Sequence, residues 1–182
     1  MRHDRWLPRV VVASGMAGTG VSTIATHLQE QAPAINVIDA GTQWADILEA
    51  CTPGFARILA VTTDDIVSVT AAYALIKLLR DRFPESPIEL LVNRCSTRDA
   101  LKTYERVQHA AMHFLRETVA YGGAIPDAPG SAQDAGQTSE GSLAIDLAAV
   151  MAIHDVAHRL NDELEQADTK ALPYVGERRN TQ

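Results

Sequence analysis

Residues 10–23, VVVASGMAGTGVST, decide the reading of this chain. Val10, Val11, Val12 and Ala13 form a continuous apolar run, the pattern of a strand buried on both faces. A glycine-rich turn follows, and the segment after it, TIATHLQEQ, reads as a helix. Strand, glycine loop and helix in that order are the setting of a Walker A phosphate loop, GxxxxGK[ST]. Gly15 and Gly20 keep its spacing, with Gly18 between them. Ser22 stands where the magnesium-side hydroxyl belongs, Thr23 follows it, and Val21 stands where the lysine belongs. Such a loop still offers backbone N–H groups and a helix N-terminus to an anion. It lacks the cation that neutralises the β- and γ-phosphates during transfer.

Beyond the loop, apolar strands alternate with helices. AINVIDAG (34–41) gives a short strand ending at Asp39. WADILEAC reads as a helix stopped by Pro53 and Gly54. RILAVTT (57–63) is the next strand, and Ser68 is the expected N-cap of the helix after it. IELLVNR (88–94) is a fourth strand, followed by an amphipathic helix from Thr97 to Thr118. VAYGGAIP (119–126) is the fifth strand and its loop. DAPGSAQDAGQTSEGS reads as irregular, a last helix covers Leu143 to Gln166, and 167–182 reads as a disordered polar tail. The expected fold is therefore α/β: one domain over residues 8–166, a parallel sheet with helices on both faces. Ligands of such sheets bind at the carboxyl ends of the strands. Asp39, Thr62, Thr63, Asn93 and Pro126 all fall there.

The 182 residues are 46% hydrophobic, enough for one sizeable core. A formal net charge of −7 argues against a broad phosphate-binding surface for nucleic acid. No run of apolar residues is long enough to span a bilayer, and the N-terminus lacks a signal-peptide core, so a cytoplasmic protein is expected. Two cysteines, Cys51 and Cys95, give neither a disulfide framework nor metal-site spacing.

The segment RILAVTTDDIVSVTAAYALIKLL, with LLVNRC, HFLRE and AYGGAIP after it, resembles the MinD/ParA family of deviant Walker A ATPases. It is most similar to the FlhG/FleN (YlxH) flagellar regulators. The similarity runs from Val10 to Ile145 with one large gap. It implies a P-loop NTPase fold, truncated here, with ATP or ADP and magnesium as cofactors and protein partners in a positioned machinery. Gly15, Gly18, Gly20, Ser22 and Thr23 would hold phosphates, Asp39 would correspond to the switch II aspartate, Asn93 would read the adenine edge, and Pro126, ending a stretch similar to the family's YLGxIPxD, would be a further nucleotide-binding position. The departures fall at the nucleotide end. Met16 and Val21 replace both loop lysines of the family's KGGxGKT, and the acidic loop between the first helix and switch II is deleted. The family's TTPE is Thr62-Thr63-Asp64-Asp65 here, and its TDAY is Thr70-Ala71-Ala72-Tyr73. The family's C-terminal amphipathic membrane helix has no counterpart in the tail.

Bland readings stand beside the sharp ones. The loop is either a working phosphate cradle or an inherited turn that binds nothing. Asp39 is either a magnesium-side group or a strand cap, and Asn93 either reads adenine or ties off a strand-end turn. His154 and His158, like His109 and His113, have i, i+4 spacing but no third ligand, so solvated helix faces are favoured. Trp44 is expected to pack over the sheet edge. No nucleophile–histidine signature supports other catalysis. The leading expectation is a non-hydrolysing or weakly nucleotide-binding regulator that acts through protein partners, with no catalytic or metal-ligating residues. The rival is an active ATPase with an unconventional loop.

Overall fold

The computed structural model describes residues 9–52, 56–127 and 147–171. Five parallel strands form one sheet: β1 (Arg9–Ala13), β2 (Asn36–Gly41), β3 (Arg57–Thr62), β4 (Ile88–Asn93) and β5 (Ala120–Ile125). Their order is β2-β1-β3-β4-β5, so the Walker-like strand is internal. Each of the five matches a strand expected from the sequence to within three residues. Among the described residues, five α-helices connect or cover them: α1 (Val21–Gln31), α2 (Trp44–Cys51), α3 (Ile66–Arg82), α4 (Thr97–Ala110) and α5 (Leu147–Ala171).

Alternation along each strand sends side chains to two separate cores. Val10, Val12, Leu59, Val61 and Leu91 meet Ile24 and Leu28 of α1 and Ile153, Val156 and Leu160 of α5. Val11, Ile58, Ala60, Leu90 and Val92 meet Ile47 of α2, Leu75, Ile76 and Leu79 of α3 and Val107 of α4. Both faces are covered, which is why the strands read as unbroken apolar runs. From β1 the chain crosses to β2 on one side, then to β3 on the other. The crevice between the carboxyl ends of β1 and β3 is thus the topological switch point, and the glycine loop opens into it.

Three boundaries differ from expectation. The N-cap of α3 is Asp65, whose carboxylate accepts from the N–H of Val67 (2.6 Å) and Ser68 (3.3 Å). Asp is as good a cap as Ser, and Ser68 is instead buried, accepting from Thr63 N–H at 3.0 Å and sharing a 2.9 Å bond with the Thr62 hydroxyl. The long fourth helix does not reach Thr118. It passes into a π-helical turn, Ala111–Leu115, and stops at Arg116, whose φ of 61° is left-handed. The last helix runs on past Gln166 to Ala171. Residues 167–171 of the expected disordered tail are thus helical, and the rest of that tail, with the irregular 128–142 stretch, lies outside the described residues.

A carboxylate lies inside β4. Glu89, 1% exposed, lies on the α5 face of β4 beneath an ion-pair network. Arg57 bonds it from β3 and reaches Glu163 of α5 at 2.7 Å. Arg159 of α5 bonds Glu89 at 2.8 Å and Glu163 at 3.2 Å. Arg159 also donates to the Gly122 carbonyl (3.0 Å), which blunts the free edge of β5. A buried carboxylate held by two guanidiniums is costly to leave half-made. Glu89→Ala is expected to lower the unfolding free energy by about 3 kcal/mol in urea titration, the low end for a broken buried pair because Arg159 keeps Glu163.

Candidate functional site

The glycine loop spans the gap from β1 to α1. Gly20 ends it in the left-handed region (φ 88°) and starts α1 with no side-chain cap. The N–H groups of Val21, Ser22 and Thr23 face no helical carbonyl. Ser22 and Thr23 are exposed beside these N–H groups.

The rest of the loop is tied to its own protein. The Met16 N–H donates to Ser14 Oγ at 3.3 Å, and the Thr19 hydroxyl donates to the Met16 carbonyl at 3.4 Å. Ser14 and Thr19 are both buried. Ser14 N–H donates to the Gly41 carbonyl at 3.0 Å. Gly15 lies hard against α3, where a Cβ would come within 2.2 Å of the Ala71 carbonyl oxygen. From β4, Asn93 Nδ2 donates to the Thr19 carbonyl at 2.8 Å, and Arg94 Nη1 donates to the Gly18 carbonyl at 3.0 Å. Asn93 can come this close only because residue 20 is glycine: a Cβ there would sit 2.5 Å from Nδ2.

Sequence-expected residues sort clearly by place. Gly15, Gly18, Gly20, Ser22 and Thr23 form one cradle, and Asn93 joins it, but as a strut. Its Oδ1 accepts the Arg94 N–H (3.0 Å), so both ends of the amide are engaged. Asp39 Oδ1 accepts the Gly41 N–H at 3.0 Å, the Asx turn of a strand cap. Pro126 lines a separate cleft of about 650 Å³ between β5 and α5, with Tyr121 and Met151. Val21 is 6% exposed and packed with Val10, Val12 and Ile24, so it is part of the core rather than of an apolar rim. Trp44 is half-buried against the opposite core, as expected. The apolar side chains that do reach solvent at this end are Ile66 (69% exposed) and Val67 (60%), at the start of α3. The sequence reading missed Arg94. Its φ of 60° is unusual for a side-chain-bearing residue and costs about 1 kcal/mol. No local pattern announces that conformation.

Among the described residues no three metal-ligating side chains gather. His158 pairs with Asp162 at 2.9 Å, and the His109 and His113 rings stack on an exposed helix face.

The chain matches no established sequence family and no curated protein sequence. Its likeness lies in three dimensions. The MinD cell division protein of Aquifex aeolicus superposes with a TM-score of 0.53 at 16% identity, over 85% of this chain and 97% of that one. The fold is that of MinD. The MinC:MinD cell division protein complex of the same organism gives a TM-score of 0.53 at 15% identity, over 93% of this chain and 98% of that one. In this MinD-like architecture the glycine loop holds Met16 and ends at Val21. Among the described residues no helix is long and apolar enough to cross a membrane.

Burial pushes the Cys51 thiol from the ordinary 9.0 up to about 11, with Arg9 opposing the shift. Burial, then the Asp64 and Asp99 carboxylates, raise the Cys95 thiol to about 11. Both thiols therefore stay protonated and unreactive at neutral pH. Because the folded pKa lies above the unfolded one, their contribution to stability is complete below pH 9 and is lost as pH rises through 11. Alkylation of the native protein by iodoacetamide at pH 8 is expected to be slow at both cysteines, and denaturant midpoints should fall between pH 9 and 11. A Cys51→Ala, Cys95→Ala double variant should lose part of that fall.

Proposed function

We propose that this chain is a MinD/ParA-type regulatory protein that works through protein partners and does not use nucleotide hydrolysis. The observation that carries the reading is Val21. At the position where a lysine would meet the phosphates, the side chain is turned into the sheet core. A valine there supplies no charge to developing phosphate oxygens, and electrostatic stabilisation is most of phosphoryl-transfer catalysis. The base-reading asparagine is spent on the Thr19 carbonyl, and Asp39 on its own turn. ATP or ADP with magnesium would have only the N–H groups at the start of α1 and the Ser22 hydroxyl to hold it.

The likeness to a MinC:MinD complex supports a protein partner. Ile66 and Val67 give this end of the sheet an apolar rim suited to one. The segment RILAVTTDDIVSVTAAYALIKLL, similar to FlhG/FleN, makes flagellar assembly or another positioned machinery the proposed setting. Counting flagella in a deletion strain addresses that part directly.

Two measurements test the central reading. Purified protein should hydrolyse ATP with magnesium no faster than a Ser22→Ala control. Robust turnover abolished by Ser22→Ala would return the chain to the active ATPases. Light scattering should give the same mass with and without ATP and magnesium, because Met16, half-buried and uncharged, cannot reach across to a partner's phosphates. A monomer that dimerises only on adding ATP would sink the proposal.

A further inference from the structure

The contacts around the loop point past the loss of two lysines. Here the organising contacts are internal and come from two directions. On one side, Gly15 lies against the α3 backbone at Ala71. On the other, the end of β4 grips two successive carbonyls: Arg94 Nη1 holds Gly18 at 3.0 Å and Asn93 Nδ2 holds Thr19 at 2.8 Å. Within the loop, Met16 N–H on Ser14 Oγ and the Thr19 hydroxyl on the Met16 carbonyl close it further.

The two grips are not equivalent. Asn93 lies on the same face of β4 as Leu91, which is packed among the α1 and α5 side chains. It is 7% exposed, and its Oδ1 accepts the Arg94 N–H, so the amide cannot flip without losing a bond. Arg94 is exposed and keeps a left-handed backbone, φ 60°, that an unconstrained arginine would leave. That turn is what brings the next side chain after Asn93 back over the loop. A charged donor on a neutral carbonyl is also a stronger tie than a neutral one.

We propose that Asn93 and Arg94 act together as an internal latch, positioning residues that keep the 15–20 loop ordered in the absence of any ligand. The proposal rests on the reading that this end of the sheet does not respond to nucleotide, and it concerns the carbonyl side of the loop: both grips fall on the Gly18 and Thr19 carbonyls and leave the N–H groups at the start of α1 untouched. It also gives a purpose to the order. A loop fixed in one shape presents one constant surface, with Met16 on it and Ile66 and Val67 beside it at the same end of the sheet.

Backbone ¹⁵N relaxation of the full chain tests this. Without nucleotide, the amides of Ala17–Gly20 should show order parameters near the rigid value of about 0.85. Arg94→Gly removes the guanidinium and relieves the left-handed strain at once. In it the loop order parameters should fall below about 0.6, the flexible range, while the thermal midpoint stays level or rises. Asn93→Ala should loosen the same amides, and Arg94→Lys, which keeps a cationic donor, should restore part of the order. If both Arg94→Gly and Asn93→Ala leave the loop rigid, the latch is wrong and the functional reading stands. If wild-type order is unchanged but adding ATP with magnesium shifts the Gly18–Thr23 amides, the latch stands and the functional reading fails. A wild-type loop that is flexible alone and orders only with ATP would overturn both.

Discussion

Everything in this molecule follows from burying a parallel sheet on both faces. Each of β1, β3 and β4 has apolar side chains above and below, and the two cores share no residue. Polar groups cannot be accommodated along such strands without partners, so they collect where the strands end. Ser14, Thr62, Asn93 and the Asp39 turn all sit at carboxyl ends, around the point where the chain order reverses. The site is thus a by-product of the layer architecture, and it persists whether or not chemistry is performed there.

The glycine loop at that end carries no lysine. A lysine at position 21 would need to leave the core and aim outward, whereas valine is content among Val10, Val12 and Ile24. Valine there contributes packing and no charge. The Asn93 amide is engaged at both ends as a strut. The strands and their two cores keep a MinD-like fold at 16% identity.

The strands were legible because a doubly buried strand writes itself as a plain apolar run, as in RILAVT and IELLVN. Helix ends were less so. Asp65 and Ser68 are both credible caps, and only the burial of Ser68 under the β3 end decides between them. The π-helical turn at Ala111–Leu115 has no composition of its own and arises where α4 must deliver Leu115 to the core while releasing Phe114 to solvent. Of the site, the glycine cradle was legible because its spacing is local. The roles of Asn93 and Arg94 were not, since their partners lie more than 70 residues away in sequence. Glu89 offered a hint, a carboxylate inside an apolar strand, but its partners Arg57, Arg159 and Glu163 come from two other elements.

The ion-paired helix α5 also bears on how the chain is made. It covers the face of the sheet formed by Val10, Val12, Leu59, Val61 and Leu91, a job it shares with α1, which is made more than a hundred residues earlier. On a ribosome, the five strands and α1 to α4 emerge before α5 does. During that interval half of one sheet face is bare and the Glu89 carboxylate has only Arg57 beside it. Docking of α5 closes the apolar face, completes the charge network and blunts the β5 edge in a single event, and surface exposed before that event is the kind that favours aggregation.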